Sequence, residues 1–146
     1  MMTCKLTMML ISESQEGNCG EDWKYELNVK VFDDGLKGEG SVKVPKHHLT
    51  SGDVRPPHGS PEPLALFTGD CASHMMVRME LTATEVDMFV DDIGKASKDL
   101  TIECPAAGRG RVTKDVDISA GVRESPGIFN RNSVFTLRVR FTLDCD

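Results

Sequence analysis

The sequence has few aromatic residues and no long apolar run, and each shortage excludes a class of protein. Aromatic residues make up 5% of the 146 residues, and Trp23 and Tyr25 lie in a pattern that predicts burial, so stacking platforms for sugars or single-stranded nucleic acid are not expected. No segment reaches the roughly 18 consecutive apolar residues of a transmembrane helix. The net charge of -6 disfavours nucleic-acid binding, because that affinity needs clustered Lys and Arg.

The sequence motifs of common catalysts are also missing. There is no Gly-x-Ser-x-Gly elbow, no His-Glu-x-x-His, no phosphate-binding loop and no dinucleotide fingerprint. Cys71, with histidines nearby, is the candidate nucleophile for a small thiol or metal-dependent hydrolase. We therefore expect a non-enzymatic protein that needs no cofactor, with that hydrolase as an alternative.

The cysteines favour a reducing compartment. Five of them, an odd number, occur without a Cys-x-x-Cys pair, and the sequence has no Asn-x-Ser/Thr glycosylation site. Residues 1–13 lack the basic start and apolar block of a secretion signal, so we expect a cytoplasmic location, and the choice between free thiols and disulfides is left open. If a signal peptide has been removed, the protein is secreted, and four cysteines become disulfide candidates: Cys19, Cys71, Cys104 and Cys145.

Apolar residues alternate with polar ones along several segments, which predicts β-strands with one buried face. The clearest segments are residues 23–31 and 133–145, and residues 2–11 and 77–83 repeat the pattern. About eight such segments predict one all-β domain over residues 1–146, an antiparallel β-sandwich with at most one short helix. Its topology, C2-like or immunoglobulin-like, is left open. The two terminal strands are expected at its centre, with Met8, Met79 and Met88 as core residues.

The turns and loops supply a second set of candidates. Asp33, Asp34 and Gly35 predict a hairpin turn, whereas residues 47–63 hold four of the seven prolines and predict a long loop. Histidines in or near that loop are candidate binding or zinc residues, beside Cys71: His47, His48, His58 and His74. Arg138 and Arg140 lie on the polar face of the last strand and are candidate anion-binding residues, unless they only form surface ion pairs.

Residues 84–98 allow two interpretations. Val86, Phe89, Val90 and Ile93 have helical spacing, and Thr84 with Asp87 would form a capping pair, which predicts a short helix. In the second interpretation the carboxylates bind calcium in a flexible loop: Glu85, Asp87, Asp91 and Asp92. The ten residues from Glu85 to Gly94 resemble the calcium loop of C2 domains, but with Glu for the first Asp, a shorter gap and no Asp-Pro-Tyr partner loop.

The expected function is a binding or self-assembly module that contacts protein partners, or further copies of itself, through its strands and the proline-rich loop. The alternative from a different class is calcium-dependent binding to a membrane surface or a partner through the acidic residues. Calcium is then the cofactor, and a membrane is expected only in that case.

Overall fold

Nine β-strands make up the computed structural model, which describes residues 3–71, 73–88, 90–106, 109–124 and 131–146. In chain order the strands are β1 (Thr3–Gly17), β2 (Asp22–Phe32), β3 (Leu36–His48), β4 (Val54–Arg55), β5 (Leu64–Asp70), β6 (His74–Glu85), β7 (Asp92–Glu103), β8 (Gly110–Arg123) and β9 (Asn132–Cys145).

The strands form two antiparallel sheets that pack face to face. The first sheet has the order β4-β1-β9-β8, with β5 pairing β1 beside β4, and the second has the order β3-β2-β6-β7. This confirms the predicted sandwich, in which the terminal strands β1 and β9 lie inside the first sheet. The strand missed from the sequence is β4, two residues long within the proline-rich loop.

The core lies between the inner faces of the two sheets. Along β9 every second side chain, from Phe135 to Leu143, is fully buried, and Trp23 of β2 stacks on Phe135 with ring centroids 5.5 Å apart. Fully burying an apolar side chain of this kind contributes about 1.5–3 kcal/mol. The period-two pattern therefore both selects the strands and fixes which face is buried.

The sheets also meet along the edge formed by β7 and β8. A Cβ atom on Gly94 of β7 would collide with the carbonyl oxygen of Gly121 in β8. Lys98 Nζ donates to Asp117 O over 2.6 Å, and Lys114 Nζ donates to Thr101 O over 2.9 Å. Each of these two strands thus covers part of the other's free edge.

The predicted hairpin turn is confirmed, but the helix predicted over residues 84–98 is wrong. Asp34 and Gly35 have φ angles of 53° and 108°, which suit a tight Asp-Gly turn. No described residue is helical, and the helix prediction fails because residues 74–85 pair with residues 92–103 along β6 and β7. Of the proposed apolar stripe, Val90 and Ile93 are exposed, and Phe89 lies outside the described residues. The described residues include no helix that could span a membrane.

Four cysteines form two disulfides, a pairing that the odd cysteine count did not favour. Cys4 bonds to Cys145, its direct partner in the register of β1 and β9, and Cys71 bonds to Cys104. Cys19, a disulfide candidate in the secreted case, is instead a buried free cysteine whose Sγ donates to Val122 O over 3.4 Å. Burial raises the pKa of the Cys19 thiol.

Candidate metal centre

One end of the sandwich gathers most of the polar candidates. Trp23 of β2 pairs with His47 on one side and with Glu85 on the other, so the ends of β3 and β6 lie beside the turn that precedes β2. We call this the loop end. It includes the segments 18–21, 49–53, 86–88 and 90–91.

Three carboxylates converge at the loop end. Glu85 ends β6, Asp92 begins β7 directly opposite it, and Asp87 follows Glu85 in the connecting loop. One carboxylate oxygen from each lies within 4.8 Å of the other two. We call these three residues the acidic triad. The hairpin geometry of β6 and β7 brings them together, because paired residues project to the same face.

Two members of the acidic triad are buried. Glu85 is 5% exposed and Asp92 is 1% exposed, while Asp87 is exposed to solvent. The Oε2 atom of Glu85 has no hydrogen-bond partner among the described residues. A buried carboxylate oxygen without a partner is costly.

The surroundings of Glu85 oppose its ionisation. Burial, followed by the charges of Asp87, Asp92 and Asp22, raises the pKa of Glu85 to about 7. Part of its charge is therefore lost near neutral pH in the absence of a cation. A bound cation would neutralise the like charges that the fold places together.

The turn before β2 fixes the position of Glu85. A Cβ atom on Gly20 would collide with Glu85 Oε1, so the turn has room for the carboxylate only because residue 20 is glycine. The carbonyl oxygen of Gly20 accepts from Trp23 Nε1 over 3.0 Å and from Gln15 Nε2 over 3.2 Å. The carboxylate thus rests against a segment that β1 and β2 both hold.

The predicted calcium ligand Asp91 does not join the triad. Its Oδ1 accepts the backbone N–H of Asp87 over 3.2 Å, and Asp87 Oδ1 accepts the N–H of Met88 over 2.6 Å. Asp91 therefore shapes the loop, and three of the four predicted metal ligands are brought together: Glu85, Asp87 and Asp92.

A second buried carboxylate, Glu13, was missed by the sequence analysis. His47 Nε2 lies 2.9 Å from it, and the backbone N–H of His58 donates to it over 2.9 Å. His47 Nδ1 lies 2.8 Å from Pro45 O. Burial first, and then the charge of Glu13, raises the pKa of Tyr25.

Two of the four candidate histidines meet at Glu13. The ring of His58 stacks on that of His47 with centroids 4.4 Å apart. His48 points elsewhere, toward Glu21 at 3.3 Å, and His74 lies at the opposite end beside Ser73. With Cys71 held in a disulfide, the Cys71–His74 zinc pair and the thiol nucleophile have no free thiolate. In the part of the chain that the structure describes, no group of three metal-ligating side chains includes a histidine.

The candidate anion-binding arginines already have carboxylate partners. Arg138 donates two hydrogen bonds to Asp117, and Arg140 donates two to Asp115, its direct partner across β8 and β9. Each guanidinium lowers the pKa of its aspartate partner. The observed geometry is that of exposed cross-strand ion pairs.

Two comparisons with known proteins found no relative of the chain. A scan against protein-family models found no match to the chain, and a search of the curated proteins found no similar sequence. The functional argument therefore rests on the geometry of the loop end.

Proposed function

We propose that the protein is a calcium-dependent binding module that holds Ca²⁺ on the acidic triad. The proposal depends mainly on Glu85. Its carboxylate is buried, and one of its oxygens has no hydrogen-bond partner among the described residues. The same carboxylate lies close to those of two further residues. A cation between them would supply the missing partner for Glu85 and offset the mutual repulsion of the three charges.

The donor set favours calcium over other common metals. All three side chains offer oxygen, the donor that hard cations prefer, whereas zinc prefers nitrogen and sulfur. Ca²⁺ accepts six to eight oxygens in irregular geometry, and carbonyl groups and water complete its shell. Mg²⁺ demands near-octahedral geometry and keeps more of its water, so it should compete weakly at a loop site.

The disulfides suggest the compartment in which such a site would work. Disulfides persist in oxidising environments such as the cell exterior, so Cys4–Cys145 and Cys71–Cys104 support a location of that kind. Calcium sites of extracellular modules have dissociation constants of about 0.1–1 mM. We expect an affinity in that range, because three carboxylates are a modest ligand set.

Isothermal titration of the oxidised, metal-free protein with CaCl₂ tests the proposal. We expect one site on the wild type, a loss of at least tenfold in affinity for Glu85→Gln and for Asp87→Asn, and weaker binding of MgCl₂. Asp91→Asn is the matched control in the same loop. It retains an oxygen that can accept the N–H of Asp87, and it should stay within about threefold of wild type, as expected for a charge outside the coordination shell.

Two outcomes would contradict the proposal. One is the absence of both heat and thermal stabilisation at several millimolar calcium. The other is an equal loss of affinity in Asp87→Asn and Asp91→Asn, which would reveal a general acidic surface instead of a site built from the triad.

Assembly through strand edges remains a prediction with less support. Lys37, Lys43 and Lys46 are exposed on the edge strand β3, which also contains Pro45. Lysine and proline on an edge oppose pairing with another chain. At the other side of the sandwich, β7 and β8 each cover part of the other's edge.

A further inference from the structure

The outer face of the second sheet carries a row of polar side chains that runs across all four of its strands. Asn28 of β2 pairs with Ser41 of β3 on one side and with Glu80 of β6 on the other, and Glu80 pairs with Ser97 of β7. Directly paired residues project to the same face, and none of the four is buried. We call these four residues the central polar row.

The central polar row has no partners within the protein. In the part of the chain that the structure describes, none of its side chains has a hydrogen bond or an ion pair. On the outer face of the first sheet, by contrast, polar side chains are paired. Ser119 Oγ lies 2.8 Å from Thr136 Oγ1, and Arg138 donates two hydrogen bonds to Asp117. The second sheet therefore leaves donors and acceptors available, whereas the first sheet uses its own internally.

Two adjoining depressions in this face share Asn28 and Glu80. One, of about 340 Å³, extends to Ser41 on β3, and the other, of about 500 Å³, extends to Ser97 on β7. Neighbouring strands lie about 4.8 Å apart, so four strands span about 14 Å. Asn28 is half-buried where the depressions meet, in a strand with a neighbour on each side. Asparagine is rare in strands, and such departures from local preference are typical of functional sites.

The charges beside the central polar row are balanced. On one side Lys43 lies 4.0 Å from Glu26, and on the other side Arg78 donates two hydrogen bonds to Asp99. The remaining charged side chains that line the two depressions are two of each sign: Lys30, Lys95, Glu39 and Glu80. A surface with balanced charges has little net field to attract an anion or a cation, so an uncharged ligand is the better electrostatic match.

Exposed apolar side chains lie away from the central polar row. Leu36 is 53% exposed beside the Asp33–Gly35 turn, and Met88 is 86% exposed after β6. The interpretation of Met88 as a core residue is therefore wrong, although Met8 and Met79 are buried as predicted. Around the central polar row, where every residue of the four strands is described, no large apolar side chain is exposed. The row thus lacks the apolar anchors of a stable protein interface.

We propose that the central polar row binds an uncharged oligosaccharide that lies across the four strands. A sugar hydroxyl both donates and accepts, the Asn28 amide offers donors and an acceptor, and the Glu80 carboxylate accepts from hydroxyls. Each such hydrogen bond replaces one to water, and no aromatic side chain adds stacking, so we expect dissociation constants in the millimolar range. The inference goes beyond the proposed function and does not depend on it, because the acidic triad lies at the loop end.

NMR titration of the oxidised protein in EDTA tests the inference, with trisaccharides of glucose, mannose, galactose and N-acetylglucosamine as probes. We expect at least one probe to shift the signals of the central polar row and to leave those of β8 and β9 unchanged. Asn28→Ala should weaken binding about tenfold or more, and Glu80→Gln, which keeps one acceptor oxygen, should weaken it less. Neither variant removes an internal hydrogen bond, so both should melt close to the wild type.

The matched control lies on the outer face of the first sheet. Thr113 of β8 is exposed, and Thr113→Ala should bind the same trisaccharide as the wild type does. The inference is overturned if no probe shifts the row at tens of millimolar, if Asn28→Ala binds like wild type, or if inorganic phosphate or trilysine shifts the row more strongly than the sugars do. A failure of calcium binding would overturn only the proposed function, because the sugar titration contains no free calcium.

Discussion

Replacing Glu85 by glutamine should stabilise the metal-free protein at alkaline pH. The pKa of Glu85 rises from 4.5 to about 7 on folding, so the folded state binds this proton more tightly than the unfolded state. The stability of the wild type should therefore fall as the pH rises from about 4.5 through 7. Glutamine keeps the shape and one acceptor oxygen but carries no charge, so it escapes this loss.

The expected size follows from the pKa difference. One pKa unit corresponds to about 1.4 kcal/mol, so the ionised Glu85 costs the native state about 3 kcal/mol at pH 8. At this chain length 1 kcal/mol changes the melting temperature by about 3 °C. We expect Glu85→Gln to melt about 4–9 °C above wild type at pH 8 in EDTA, and close to wild type at pH 4.5.

Differential scanning calorimetry from pH 4.5 to 8.5 measures both profiles, with Asp91→Asn as the control for removing an exposed charge from the same loop. Calcium should then raise the melting temperature of the wild type at pH 8 and leave that of Glu85→Gln unchanged. Parallel profiles for wild type and Glu85→Gln across the pH range would refute the assignment of Glu85 as a destabilising buried charge.

Three further predictions concern the surroundings of the site. Glu13→Gln should destabilise the protein by about 2–3 kcal/mol in urea denaturation, because it breaks a buried pair with His47; a change below 0.5 kcal/mol would contradict the burial of that pair. Gly20→Ala should lower calcium affinity at least tenfold, since its Cβ displaces the Glu85 carboxylate, while Gly121→Ala, where nothing lies within 4 Å, should bind as wild type. Iodoacetamide without reductant should label one cysteine after unfolding and none in the native state, because Cys19 is 7% exposed and its thiol pKa is raised; mass spectrometry showing more than one label would refute the disulfide pairing.

The sandwich could be predicted because alternation is a local signal, whereas strand partners are not. Leu137 and Val139 alternate with Arg138 and Arg140, and each residue takes the face that the pattern assigns. The helix prediction for residues 84–98 was wrong because it used only the local signal. Their apolar spacing fits a helix within a local window, but pairing of β6 with β7 over residues 74–85 and 92–103 outweighs it.

The acidic triad was partly predictable, and each difference between the predicted and the observed site has a physical cause. The composition of residues 85–92 indicated a carboxylate site, but the direction of Asp91 depends on a loop hydrogen bond that spacing does not encode. Glu13 was missed because the register of β1 shifts between Leu10 and Ser12. Before this bulge the even-numbered residues face the core, and after it Glu13 and Gln15 do.

The disulfides illustrate a second limit of local patterns. Cys4 and Cys145 are separated by 141 positions, and they meet because β1 and β9 pair in one particular register. Cysteine counting alone leaves many pairings open. The odd number favoured a reducing compartment over a disulfide framework, yet it follows from a single buried free cysteine, Cys19.

The two buried glutamates of the loop end differ in their surroundings. Glu13 is a structural carboxylate, whereas Glu85 is available to a ligand. Glu13 meets an imidazole and a backbone N–H, so the protein itself supplies its partners. Glu85 meets Asp87 and Asp92, so the protein supplies more of the same charge. Removing the charge should therefore destabilise the fold at position 13 and stabilise it at position 85 when no cation is bound. Only the second pattern leaves free energy that an external cation can recover, so a cation site at the acidic triad requires Glu85→Gln to be stabilising when no cation is bound.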